Sequence, residues 1–124
     1  MPERGRREST PKLVCPAGAL PALKAAVDNG ADAVYCGFRD ATNARNFAGL
    51  NFDAATMSQG IAYAHRHGAE VLLAINTFAQ AGRREEWRRS IDAAAASGAD
   101  ALIVADLGLL EYASRRHHGL RTHM

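Results

Sequence analysis

Cysteine is scarce in this sequence. Cys15 and Cys36 are the only two, they form no Cys-x-x-Cys pair, and their low density excludes a disulfide-stapled secreted domain. Long hydrophobic runs are absent as well. The longest, such as Val71 to Ile75 and Ala101 to Ala105, fall far short of the roughly 20 residues of a membrane-spanning helix, so no membrane span is expected. The charged start, Met1 to Thr10, runs into no apolar stretch, which excludes a secretory or twin-arginine signal and predicts a flexible basic tail over residues 1–11. A cytoplasmic location follows as the expectation. Charge of one sign is not in excess: a formal net charge of +2 generates no strong field, and nucleic-acid binding is permitted by Arg83-Arg84, Arg88-Arg89 and Arg115-Arg116 without being indicated. Also missing are His-Glu-x-x-His, Gly-x-Ser-x-Gly, P-loop and dinucleotide fingerprints, which leaves the common hydrolase and nucleotide chemistries without support.

What is present is a globular composition, 48% hydrophobic and 23% charged, organised by a local repeat. Three times a helical pattern ends in glycine, alanine and an acid and passes into an apolar strand: Gly30-Ala31-Asp32, Gly68-Ala69-Glu70 and Gly98-Ala99-Asp100. Glycine just past a helix end takes the left-handed conformation cheaply, which turns the chain back toward a sheet. Between the junctions, Leu20, Leu23 and Val27 share one helical face, as do Met57, Ile61 and Ala64, and Trp87, Ile91 and Ala94. Pro21 suits a first helical turn, and Asp53 and Asp106 stand where N-caps belong. The predicted strands are Lys12 to Cys15, Asp32 to Cys36, Glu70 to Asn76 and Ala101 to Ala105, all without alternation and therefore expected to be buried on both faces.

Strict strand–helix alternation demands parallel crossovers, which leaves a doubly wound sheet or a (β/α) barrel. The expectation is an α/β fold of parallel (β/α) barrel type with about four βα units, formed by residues 12–124. A complete eight-unit barrel takes about 250 residues, so the chain is expected to stop before closure, at the point where a fifth strand would begin. An open sheet edge would then be exposed, and self-association is expected of such a piece in isolation.

In a parallel architecture ligands gather at the carboxyl ends of the strands. Cys15-Pro16-Ala17-Gly18, Tyr35-Cys36-Gly37, Asn76-Thr77 and Asp106 lie there. The segment from Gly37 to Phe52 is long beside the usual βα loop of about 2 to 6 residues and carries Arg39, Asp40, Asn43, Arg45, Asn46 and Asn51. Arg45 has the fork to hold a carboxylate or phosphate, and the asparagines suit a polar ring or a backbone. Asn43, Arg45, Asn51, Asn76 and Asp106 are thus the substrate-binding candidates. Each has a plainer reading: the loop residues as satisfiers of their own backbone, Asn76 as the end of a ladder, Asp106 as a helix cap. Catalytic residues are not identifiable. No metal site is predicted, because His65 and His67 diverge on a helix and Cys15 and Cys36 suit buried strand ends.

The ordered set Leu13 to Gly18, Leu20 to Val27, Asn29 to Tyr35 and Asn43 to Phe52, with Ala74 to Ala79 and Asp100 to Leu107, resembles the collagenase-like peptidases, family thirty-two of the unclassified peptidases. Within that family it is most similar to the ubiquinone biosynthesis branch, UbiU. The resemblance runs from Leu13 to about Arg116. It implies a piece of an iron–sulfur protein that hydroxylates a ubiquinone precursor without oxygen, beside a UbiV-like partner. A four-iron four-sulfur cluster would be held by cysteines outside this chain, and neither Cys15 nor Cys36 matches one of them. The family also leaves open a collagenase-like peptidase, an RNA-hydroxylation factor or an inactive scaffold fragment.

Overall fold

The structure is a computed structural model, and it describes residues 11–44 and 51–124. The tail expected over residues 1–11 thus lies, except for Pro11, outside the described residues, as do Arg45 and Asn46. Nine elements alternate: β1 (Val14–Pro16), α1 (Leu20–Asp28), β2 (Ala33–Cys36), α2 (Ala54–Arg66), β3 (Glu70–Ile75), α3 (Arg84–Ser97), β4 (Ala101–Val104), α4 (Leu107–Arg116) and β5 (Arg121–His123).

All neighbouring strands are parallel and their order is β1-β2-β3-β4-β5. That order decides between the two architectures the alternation allowed. Every crossover steps in the same direction, so right-handed connections place all four helices on one face; a doubly wound sheet reverses its order and is covered on both. Among the described residues no pairing joins β5 to β1, so the sheet is an open, barrel-type arc.

The fifth strand corrects the expectation that the chain stops where one would begin. Arg121-Thr122-His123 has no apolar run to announce it. It is held by backbone pairing to Ala101, Leu102 and Ile103 and by an ion pair from Arg121 to Glu70 at 2.9 Å.

The core lies between the helices and one face of the sheet. Val34, Val71, Leu73 and Leu102 face Leu23, Met57, Ile61, Trp87, Ile91 and Leu109, all buried. The helical faces read from spacing are the ones that pack. The opposite, concave face departs from expectation: Tyr35, Leu72 and Ile103 are only half-buried and Val14 is 44% exposed, because no described element packs against them.

The repeated junctions behave as their composition requires. Gly30, Gly68 and Gly98 have φ of 98°, 77° and 90°, and Ala31, Ala69 and Ala99 are buried behind them. Two of the repeated acids also lock a neighbouring strand. Asp32 Oδ2 accepts from Leu13 N at 2.7 Å while Asp32 N donates to Leu13 O at 2.8 Å. Asp100 makes the same reciprocal pair with Val71, at 2.7 and 2.9 Å.

Candidate substrate mouth

The carboxyl ends of β1 to β4 surround a cavity of about 360 Å³, and Asn43, Asn51 and Asn76 meet there. Alternation along the strands explains its walls. Val34 and Cys36 point to the helices, so Tyr35 points inward, and by the same parity Ala74 and Ile103 do too. These apolar contributors were hidden in the sequence, because strands without alternation give no sign of which residue faces which way.

The described residues of the segment after β2, 38–44 and 51–52, are fastened at this mouth from several sides. Its ends meet through a parallel bridge between Phe38 and Phe52, reinforced by Arg39 N donating to Phe52 O at 3.0 Å. Asn51 N donates to Gly18 O in the turn after β1. From the end of β3, Asn76 Oδ1 accepts from Ala44 N at 2.9 Å and Thr77 Oγ1 donates to Ala41 O at 2.6 Å.

Buried asparagines build the inner side of that segment. Asn43 Nδ2 donates to Asn51 Oδ1 at 3.0 Å and to Phe38 O at 3.3 Å. Its carboxamide lies directly on Gly37: a Cβ there would come within 2.5 Å of Asn43 Nδ2. Asn51 has a φ of 76°, the left-handed region that asparagine enters more readily than most residues. Asp40 Oδ1 accepts from Thr42 N at 2.9 Å. The asparagines therefore satisfy the loop's own groups and also line the cavity.

Asp106 serves as a cap and as a staple. Its Oδ1 accepts from Gly108 N at 2.8 Å and Leu109 N at 3.3 Å, and its Oδ2 from Ala79 N at 3.0 Å. The bond from Ala79, with those from the two helix amides, holds its pKa below the ordinary carboxylate value. It does not line the mouth cavity. Asp53 caps α2 in a reciprocal box with Thr56, each accepting from the other's backbone N–H.

The thiols do not fit a metal cluster. Burial pushes the Cys36 pKa up to about 12, so the sulfur is a protonated thiol, 3.7 Å from Met57 Sδ. Cys15, half-buried, packs against the core. Among the described residues no group of three or more His, Cys, Asp or Glu is placed to hold a metal ion. Four histidines lie on or past helix ends: His65 pairs with Asp100 at 2.8 Å, His117 pairs with Asp92 at 2.7 Å, and His67 stacks on Tyr63. The Asp92–His117 pair, joined by the Tyr112 hydroxyl at 2.9 Å, was not foreseen, because its members are up to 25 residues apart. Among the described residues no helix is long and apolar enough to cross a membrane.

Residues 18–124 match the profile of peptidase family U32. An uncharacterized protease of Methanocaldococcus jannaschii is 38% identical over 112 residues, 90% of this chain and 26% of that protein. A tRNA hydroxylation protein P of Helicobacter pylori is 38% identical over 102 residues, 82% of this chain and 24% of that protein. The 23S rRNA 5-hydroxycytidine C2501 synthase of Escherichia coli is 34% identical over 100 residues, 81% of this chain and 15% of that protein. The chain thus spans about a quarter or less of these relatives. A solved U32 peptidase superposes with a TM-score of 0.72 at 16% identity, over 92% of this chain and 48% of that one. A tryptophan synthase from M. tuberculosis gives 0.62 at 16% identity, over 97% of this chain and 57% of that one, a likeness of fold alone.

Proposed function

This chain belongs to peptidase family U32, and from that premise we propose that it forms one wall, and the fastened loop, of a substrate mouth that presents a nucleobase of RNA for hydroxylation. One observation carries the reading: relatives 30–38% identical over 81–97% of this chain bear the names of tRNA hydroxylation proteins and an rRNA hydroxycytidine synthase. The mouth is compatible with it. Its described lining offers amides and apolar walls, and the Cys36 thiol is protonated and turned away toward Met57. That set suits binding and orientation, and it supplies no activated nucleophile for peptide hydrolysis. The test is to delete the gene and measure hydroxylated nucleosides in total tRNA and rRNA by mass spectrometry. Loss of one hydroxylated nucleoside, restored by the intact gene, is the expected result; an unchanged set overturns the reading.

A second reading is favoured by the residues Leu13 to Gly18 and Asn43 to Phe52, which resemble the UbiU branch. It proposes a ubiquinone precursor as substrate, a UbiV-like partner and a four-iron four-sulfur cluster held by cysteines outside this chain. Quinone content of the same deletion strain grown without oxygen separates the two: lost quinone with unaltered RNA selects the second.

A further inference from the structure

One histidine stands apart from the others. His65, His67, His117 and His118 lie on or past helix ends, whereas His123 lies in β5. The neighbouring residues fix the side of the sheet to which it points. Leu120 packs against the core between sheet and helices, and Arg121 reaches Glu70 at 2.9 Å. Val71 belongs to that core, so Glu70 before it stands on the concave face, and Arg121 stands there with its ion-pair partner. Side chains alternate along a strand, so His123, two positions past Arg121, faces the concave side as well.

Register gives its height. Ala74 of β3 pairs with Ile103 of β4, and Ile103 pairs with His123 of β5. Ala74, Ile103 and His123 therefore form one row across three strands, and the first two line the mouth cavity. His123 is one strand further on, about 4.8 Å in the hydrogen-bonding direction, a spacing comparable to the length of a histidine side chain. Ala74 and Ile103 present only hydrocarbon, whereas a neutral imidazole carries one donor and one acceptor. Neither nitrogen is used in holding the strand: His123 is exposed, and among the described residues it makes no side-chain hydrogen bond or ion pair.

We propose that His123 is a substrate-contacting residue of the mouth, its imidazole holding a polar group of the substrate by a hydrogen bond beside the wall formed by Ala74 and Ile103. This deepens the hydroxylation reading and rests on it for the nature of the substrate.

The test places variants of the full-length gene in the deletion strain and follows accumulation of the hydroxylated nucleoside after induction. His123→Phe keeps a flat ring and removes both nitrogens; His123→Gln removes the ring and keeps a donor and an acceptor. A contact made by the nitrogens predicts accumulation about tenfold slower with Phe and within about threefold of the parent with Gln, the range spanned by one neutral hydrogen bond. A role in packing alone predicts the reverse order. Thr122→Val, altered on the helix side of the same strand, should match the parent. Melts of the purified full-length variants should coincide with the parent, because His123 has no bond to lose; where Phe lowers the melt, His123→Ala takes its place. Parent-like accumulation with Phe or Ala, Gln slower than Phe, or an equal loss from Thr122→Val overturns the proposal. A deletion strain that loses quinone instead of a nucleoside overturns the RNA reading alone, and the same order of variants in quinone output then upholds His123. A strain altered in neither product overturns both.

Discussion

The indole Nε1–H of Trp87 donates to Thr77 Oγ1 at 3.1 Å, and that same hydroxyl donates onward to Ala41 O at 2.6 Å. Two bonds through one oxygen thus connect a core residue of α3, 1% exposed, with the segment fastened over the mouth. The chain of contacts runs from packing to the site: α3 seats Trp87, Trp87 orients Thr77, and Thr77 holds the loop.

Thr77→Val keeps the shape and removes both bonds, leaving an indole N–H and a loop carbonyl without partners. Each loss of this kind costs about 1–3 kcal/mol, so urea denaturation should show a lowered midpoint at an unchanged slope. Thr77→Ser should stay close to the parent, and a Val variant as stable as the parent would dismiss the link.

Gly37→Ala should disturb the loop without touching the core. The added methyl would lie 2.5 Å from Asn43 Nδ2 and 2.6 Å from Asn43 Cγ, which forces Asn43 off Phe38 and Asn51. Overpacking of this kind costs about 1–3 kcal/mol. Limited proteolysis should cut the Gly37–Phe52 segment faster in the variant, and an unaltered cleavage rate would show that Asn43 is free to move aside.

Asp106→Ala removes a helix cap and the staple to Ala79 together, at a cost of about 1–2 kcal/mol from the cap. The pH dependence has a defined sign. Because the folded-state pKa of Asp106 is depressed by the Ala79, Gly108 and Leu109 amides, its contribution is complete above the unfolded carboxylate pKa. It fades as pH falls through the lower, folded value. Thermal melts of the parent should therefore lose stability on acidification more steeply than those of Asp106→Ala, and parallel acid limbs would contradict the assignment.

Gly98→Ala tests the repeated junction. Gly98 caps α3 with φ of 90°, and the nearest atom to an added Cβ would be Ile61 Cγ2 at 3.7 Å, an ordinary contact. The penalty is thus conformational, about 1–2 kcal/mol for a left-handed alanine, and it should appear as a lower melting temperature with the fold unchanged by circular dichroism. A variant that melts with the parent would remove the αL requirement from the account.

Several features were legible in the sequence. Gly30, Gly68 and Gly98 announced three helix ends, Asp53 and Asp106 announced two helix starts, and the faces of Leu23, Ile61 and Trp87 announced the core, because each depends on residues a few positions apart. The mouth was legible only in part. Asn76 stood out from its place at a strand end and Asn43 and Asn51 from the length of the loop that carries them, whereas the inward parity of Tyr35, Ala74 and Ile103 was masked by strands apolar at every position.

By itself the sequence determined the alternation of the first eight elements, the boundaries of four strands to within two residues and the requirement for parallel crossovers, since capping, glycine conformation and helical periodicity are local properties. Tertiary structure alone decided that the strands run in sequential order with one concave face left open, and that a polar Arg121–His123 joins as β5. It also decided that Asn76, at the edge of the cavity, accepts from Ala44 N. Those outcomes depend on groups far apart in the chain, Asn76 from Ala44 by 32 positions and Asp92 from His117 by 25, and contacts at such separations exist only once the sheet has aligned the strand ends.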